Sequence, residues 1–418
     1  MIIPSIDIIN GRAVQLRQGR EFVLDAGDPM GWLERFSIAG EVAVVDLDAA
    51  LGTGSNAGVI RELVRRAPCR VGGGIRSLDA ARAWLDAGAT RVVIGTAATP
   101  AFCGALPRDR VIAAVDSERG SVVVDGWRTR TGQPTIDVVR RLAPTVGGFL
   151  LTQVEHEGAM NGFDIALVRG IVAAAGPARV TAAGGITSSG EIALLDRESV
   201  DGQVGMALYT GQLSLADAVA APLREARDGL WPTIVSDDDG RTLGLAWSNR
   251  ESLRRAVNQR RGVYWSRSRN AIWVKGETSG NEQELVSVQL DCDRDAIQFI
   301  VRQRGTGFCH EGTWSCFGQR FTLGSLGRLM RARAESNDQS SGTHRLIHEP
   351  GLLEAKLVEE ACELCEATEP DEVVKEAADV LYMVMASLTR AGRSLGDVEE
   401  ELGRRHRRVS RRPMARKS

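Results

Sequence analysis

Two aspartates in matching settings are the residues of this 418-residue chain whose chemistry is easiest to read. Asp7 ends the run IIPSID, and Asp116 ends VIAAVD 109 residues later. The loop Gly73-Gly74-Ile75-Arg76-Ser77 returns as Gly184-Gly185-Ile186-Thr187-Ser188, and the stretch holding Gly95 returns around Gly205. Features sharing nearly one offset mark an internal repeat. Two opposed carboxylates suit a reaction that moves protons, one giving and one taking. Glycine turns that lead from a strand into a helix expose backbone N–H groups, a setting that holds phosphate. The doubling therefore predicts a ligand with a phosphate at each end. One strand-end Asp or one glycine turn alone would be ordinary structure; the shared register is what carries the chemistry.

A second group is Asp291-Cys292-Asp293-Arg294-Asp295, followed by Cys309, His310 and Cys316. If the block is extended, its period of two puts the three carboxylates on one face and Cys292 on the other. Three oxygen anions on one edge suit Mg2+, and three thiolates with an open position suit a catalytic zinc. The spacing is not that of a zinc finger, so three unrelated cysteines beside a solvated acidic turn is the competing reading. A third group comprises Glu359, Glu360 and Glu363, then Glu376 and Asp379. On two antiparallel helices these carboxylates aim at one point, where Mg2+ is the natural neutraliser. The alternative is an acidic surface partnered by Lys356 and Lys375. Cys362 and Cys365 share the first of these helices and read as buried packing.

The elements that must position these groups follow from periodicity. Each half of the repeat holds four β-rich runs, at 2–8, 42–47, 70–72 and 91–94, then at 111–115, 148–152, 179–182 and 202–204. Helical spacing lies between them, as at 57–66, 78–87 and 163–174. Strands this continuously apolar belong to a parallel sheet buried on both faces. Eight such units in about 225 residues predict a (β/α)8 barrel, with an open doubly wound sheet as the runner-up. Strand ends are then where chemistry sits. The 235–240 stretch reads as a turn before a new pattern. Alternation at 262–269, 286–290 and 296–301 predicts a small β-rich domain. From Phe321 the pattern is helical, at 353–368 and 372–390, with Pro370 ending one helix and Asp371 capping the next. The expected fold class is α/β: a barrel, a small β-rich metal-binding domain and an all-α domain.

Composition narrows the function classes. With 43% hydrophobic and 25% charged residues the chain is ordinary globular material. A formal charge of −2 argues against a general nucleic-acid binder. No run approaches the ~18 apolar residues of a membrane helix, and the start lacks a basic leader, so no membrane partner and a cytoplasmic location are expected. Seven cysteines, an odd number, read as reduced thiols or metal ligands. Five of the eight Trp lie between Trp231 and Trp314, which suggests parts of different origin.

Residues 1–227 resemble the ProFAR isomerase family of histidine biosynthesis through IIPSIDIINGRAVQL, VVDLDAALG, VGGGIRS, VDSERGSVVVDGW, AAGGITS and ALYTG. The resemblance implies that Asp7 and Asp116 form a general acid/base pair for an Amadori rearrangement and that Thr152 contacts substrate. It also implies that Gly74 and Gly95 bind one phosphate, and Gly185 and Gly205 the other. The family usually reads TDIDRDGT after the sixth strand, whereas this chain has Thr152-Gln153-Val154-Glu155-His156-Glu157-Gly158-Ala159. Met206 stands where the family commonly has Arg. Relaxed specificity towards phosphoribosyl anthranilate stays open.

Residues 233–318 resemble the phosphoribosyl-AMP cyclohydrolase family through GVYWSRSRNAIWVKGETSGN, LDCDRDA and GFCHEGTWSCFG. That implies zinc on Cys292, Cys309 and Cys316, with Mg2+ on Asp291, Asp293 and Asp295. It further implies zinc ligands drawn from two chains, hence a homodimer through this domain. Arg267, Arg269 and Lys275 are candidate phosphate partners. His310 remains open as general base, fourth ligand or bystander. Residues 321–410 resemble MazG-like pyrophosphohydrolases and, given the block before them, phosphoribosyl-ATP pyrophosphohydrolase. That implies Mg2+ on Glu359, Glu360, Glu363, Glu376 and Asp379. Ser341-Gly342-Thr343-His344 stands where this family usually has GSYT, and 411–418 reads as a basic tail. Together the resemblances imply a trifunctional enzyme acting on small phosphorylated nucleotides in three successive steps. The rivals are a bifunctional hydrolase carrying a non-catalytic barrel scaffold, and a general nucleotide-pool cleaner needing no zinc.

Overall fold

The computed structural model describes every residue except 125, 158–161, 319, 337, 339 and 411–418. The expected basic tail lies outside the described residues, as do Gly158 and Ala159. Eight strands form the barrel: β1 (Ile2–Ile9), β2 (Val42–Asp46), β3 (Cys69–Gly72), β4 (Arg91–Ile94), β5 (Val111–Glu118), β6 (Gly148–Gln153), β7 (Arg179–Ala183) and β8 (Val200–Val204). Each pairs in parallel with the next, and the pairing of β8 with β1 (Ile2 opposite Gly202) closes the ring. Closure excludes the open sheet. Both faces are covered, which is why runs such as Ile6, Ile8 and Val42 to Val44 are buried throughout.

The helices around the ring are placed by short-range signals. Ala57–Arg66 turns Ile60, Leu63 and Val64 inward at helical spacing. Ser77 caps Leu78–Ala87 by accepting from Ala80 N–H, and Ser188 caps Ser189–Arg197 in a reciprocal box with Glu191. Asp164 caps Ile165–Ala175, two residues inside the expected start, by accepting from Ala166 and Leu167. One feature exceeds the expectation. Strands β1 and β5 both continue into antiparallel ribbons, Arg12–Arg17 with Glu21–Gly27 and Ser121–Val124 with Thr129–Pro134. The internal repeat therefore extends to the flaps of the barrel mouth.

The middle region holds β9 (Trp231–Asp237), β10 (Thr242–Ser248), β11 (Val263–Ser266), β12 (Ala271–Val274), β13 (Gln283–Leu290) and β14 (Ile297–Gln303). Four of them form a sheet in the order β10-β9-β14-β13, and β11 pairs with β12 alone. The turn expected at 235–240 begins later: Val235 and Asp237 belong to β9, because Val235 is pulled fully into the core. Its apolar cluster is continuous with the barrel's, with Trp231, Val235 and Phe299 in the same body.

Five helices follow, Leu323–Glu335, Gly342–His348, Leu352–Glu366, Pro370–Arg390 and Leu395–His406, around a separate core of Leu326, Met330, Ile347, Leu353, Met383, Met385 and Ala386. Pro370 opens the second long helix instead of ending the first, and Glu369, not Asp371, is its N-cap. A first-turn proline loses no helical hydrogen bond, since its missing N–H would be unpaired there anyway. The chain then returns to the barrel, where Asp86 accepts from the N–H groups of Val409 and Ser410. Among the described residues no helix is long and apolar enough to cross a membrane.

Candidate functional site

Asp7 and Asp116 stand at equivalent positions of β1 and β5, opening into a cavity of about 660 Å³ at the barrel mouth. The β5–β6 register sets Thr152 directly beside Asp116. Burial raises both carboxyls, Asp7 to about 7. Hydrogen bonds from Trp127 and Thr152 oppose that rise at Asp116. Trp127 is carried there by the second mouth ribbon. A carboxyl near neutrality, as Asp7 is, is what proton exchange at pH 7 requires.

A third carboxyl joins them. Glu157, on the turn after β6, lines the same cavity, and burial with the charges of Asp7 and Asp116 pushes it to about 7. Sequence reasoning noted this loop only as a departure and passed over Glu157. The available signal was its acid five residues beyond Thr152. Tyr209 also faces Asp7, its hydroxyl donating to Ser5 O at 3.2 Å, and burial and Asp7 keep it protonated.

Gly74, Gly95, Gly185 and Gly205 all line the cavity. At Gly74 and Gly185 the backbone is left-handed, with φ +67° and +81°, and a Cβ would meet Ala49 at 2.6 Å or Gly162 O at 2.1 Å. Only glycine serves there. The two sides differ in detail. In the second repeat Glu191 already accepts from the N–H groups of Thr187 and Ser188, both at 2.9 Å, and Met206 offers a buried thioether instead of a cation.

In the middle domain the acidic block is a turn, not an extended strand. Asp291 Oδ1 accepts from Asp295 N–H at 3.0 Å and Ala296 N–H at 3.1 Å, folding the segment on itself. The turn still gathers the three carboxylates, whose oxygens lie within 4.8 Å of one another. Cys309 and Cys316 are within hydrogen-bonding reach of each other. Exposed Cys292 does not join them into one ligand group within the chain. Buried Lys275 packs its ammonium against Trp273 and Phe308, and burial lowers its pKa. Arg267 and Arg269 are exposed and lie over Trp247 and Trp273. His310 Nδ1 lies 4.0 Å from Cys309 Sγ.

In the helical domain Glu360, Glu363 and Glu376 converge within 4.8 Å. Glu359 turns aside to Lys356 at 2.9 Å, and Asp379 does not enter the group. Glu376 is 6% exposed, and its Oε2 is buried with no hydrogen-bond partner. A buried carboxylate oxygen without a donor fits a cation. Thr343, in the Ser341–His344 stretch, is buried and bonded to Tyr382 and Arg333. Cys362 and Cys365 are exposed, contrary to the packing expected of them, because the helix turns a different stripe, with Leu353, to the core.

Comparison with known proteins matches residues 1–214 to the family described as histidine biosynthesis protein, 244–318 to phosphoribosyl-AMP cyclohydrolase and 323–406 to phosphoribosyl-ATP pyrophosphohydrolase. The histidine biosynthesis trifunctional protein of Saccharomyces bayanus is 45% identical over 215 residues, 51% of this chain and 27% of that protein. The bifunctional protein his7 of Schizosaccharomyces pombe is 41% identical over 202 residues, 48% of each. The bifunctional protein HisIE of Parasynechococcus marenigrum is 36% identical over 212 residues, 46% of this chain and 96% of that protein. The matched part thus spans only 27% of the length of the first trifunctional relative.

Proposed function

The chain belongs to the histidine biosynthesis protein family, and on that premise we propose that it carries out three successive steps of that pathway. Phosphoribosyl-ATP loses pyrophosphate in the helical domain, the purine ring is opened by water in the middle domain, and the resulting aminoaldose ProFAR is isomerised to PRFAR in the barrel. The observation that carries the reading is the barrel mouth, where Asp7 and Asp116 meet between two glycine cradles. A non-catalytic scaffold has no need of buried carboxyls raised towards neutrality.

In the barrel the glycine turns hold the substrate's two phosphates and so fix the sugar between the aspartates. An Amadori rearrangement needs a proton delivered to the ring oxygen as its bond to C1 breaks and another removed from C2, after which the enol formed becomes the ketone by passing its hydroxyl proton to C1, with no net change. Asp7 and Asp116 supply and accept these protons, and Thr152 and Trp127 orient Asp116. Glu157 is a third group able to hold a proton beside them.

In the other two domains the donor sets fit metal ions. The thiols of Cys309 and Cys316, with Cys292 from a second chain, suit zinc, while Asp291, Asp293 and Asp295, and Glu360, Glu363 and Glu376, suit Mg2+. When bound, these ions supply Lewis acidity for the attack of water and neutralise phosphate charge. The chain's own part is to position substrate: Lys275 sits beside the thiols, and Arg267 and Arg269 ride on the faces of Trp247 and Trp273. The separation of Cys292 from its two counterparts supports a homodimer through this domain.

The test is to supply purified chain with phosphoribosyl-ATP, Zn2+ and Mg2+ and follow products by mass. PRFAR as end product supports the whole reading. Accumulation of ProFAR identifies the barrel as a scaffold.

A further inference from the structure

The acidic turn of the middle domain is held from outside by the barrel. Arg294, inside the turn, has φ +65°, a left-handed conformation that a side-chain-bearing residue seldom adopts. Four bonds keep it there. Its Nη1 donates to Asp291 O at 2.7 Å, and its carbonyl accepts from Arg224 N–H at 2.8 Å. Its Nε and Nη2 grip the two oxygens of Asp196 at 3.2 and 3.1 Å. Paired contacts of this kind fix the guanidinium plane as well as its position. Both side chains are mostly shielded, at 20% and 14% exposure, so the pair is poorly screened by solvent.

Asp196 belongs to the last turn of the barrel helix Ser189–Arg197. A carboxylate there opposes the helix dipole. Its partners, Arg294 and the Met1 ammonium, supply the compensating charge. Arg294 therefore reaches a fixed anion on a rigid element, and the three carboxylates flank it in sequence at 291, 293 and 295.

We propose that Asp196 of the barrel is a positioning residue for the cation site of Asp291, Asp293 and Asp295, acting through Arg294. The inference rests on the reading that this turn holds a divalent cation. Two effects run in the same direction. Without Asp196 the turn loses the anchor of its left-handed residue, and the carboxylates spread. Arg294 also keeps an uncompensated positive charge beside the cation. The barrel thus shapes a site whose ligands all lie in the next domain.

The experiment uses the full chain carrying Glu363→Gln and Glu376→Gln, which silences the helical cluster. Mn2+ is titrated alone and followed by electron paramagnetic resonance. In this background Asp196→Asn weakens Mn2+ binding about tenfold or more, the range seen when a group supporting a metal ligand is removed. Asp196→Glu restores part of it. Arg294→Gln removes the same anchor but takes its positive charge with it, so it weakens Mn2+ binding less than Asp196→Asn does, and it leaves Asp196 its contacts with Met1, so a folding defect in one variant does not decide the matter. The double variant binds no worse than the weaker single one. Unchanged Mn2+ affinity in both single variants, or additive losses in the double one, overturns the proposal. Binding that Asp293→Asn leaves intact overturns the cation reading itself, and the inference with it.

Discussion

The barrel and the middle domain solve the same problem, bringing distant acids and nucleophile-activating groups together, by different means. The barrel draws Asp7 and Asp116 from separate strands, and Glu157 from the turn after a third, into one cavity within a single chain. The middle domain gathers its three aspartates on one short turn and its thiols only in part, with Cys292 left apart from Cys309 and Cys316. Parallel register in a closed ring fixes where every strand ends, so the backbone position of a strand-end carboxylate is set by the sheet itself. A turn has no such register. Its geometry depends on what anchors it, which here includes a salt bridge to another domain.

Four perturbations test this contrast. Asp7→Asn or Asp116→Asn should each lower ProFAR isomerisation about 10²–10⁴-fold, the usual worth of a positioned acid or base. Pyrophosphate release and ring opening should be unchanged when each is assayed with its own substrate. Equal isomerisation in the variants would mean that the closed ring is only a scaffold. Glu376→Gln should cost pyrophosphate release about 10–100-fold or more, since it removes the inward oxygen that lacks a protein donor. A coupled phosphate assay reads it directly.

The third perturbation addresses completeness. Cys292→Ser and Cys316→Ser chains should each be inactive in ring opening. When mixed and allowed to exchange, they should recover about one quarter of the wild-type rate, because half the dimers are mixed and each has one intact site. No recovery would place all three thiols in one chain after a rearrangement. The smallest effect concerns stability. The Asp7 carboxyl is raised from 3.8 to about 7 in the folded protein, so the folded state holds a proton that the unfolded state has released. Stability contributed by this group therefore falls as pH rises through that window. Asp7→Asn should raise the unfolding midpoint by a few degrees at pH 8 and leave it unchanged at pH 4, as followed by calorimetry.

Much of the barrel was legible in advance because its strands are apolar on both faces and its glycine turns repeat in register. Ala57–Arg66 and Leu78–Ala87 coincide with their expected bounds for the same local reason. The mouth ribbons were not legible. Their outer strands, Glu21–Gly27 and Thr129–Pro134, are mostly exposed, and nothing in their pattern demands a sheet. Glu157 was missed because a loop acid has no periodicity, and only closure of the ring brings it to Asp7 and Asp116. Alternation of Asp with other residues leaves the acidic block open to an extended or a turn conformation. The bonds from the Asp295 and Ala296 N–H groups to Asp291 Oδ1 decide for the turn.

Residue types and spacing alone specified the eightfold alternation, the doubled Asp and glycine positions and the acidic groups at 291–295 and on the two long helices. These are local or periodic properties, carried by burial pattern and turn chemistry over a few residues. Folding alone decided that Glu363 and Glu376 meet across two helices while Glu359 turns to Lys356, that Cys292 stays apart, and that Arg294 reaches Asp196 in another domain. Such pairings depend on the angles at which whole elements pack. Those angles are set by the summed fit of many buried side chains, so no short stretch of sequence encodes them.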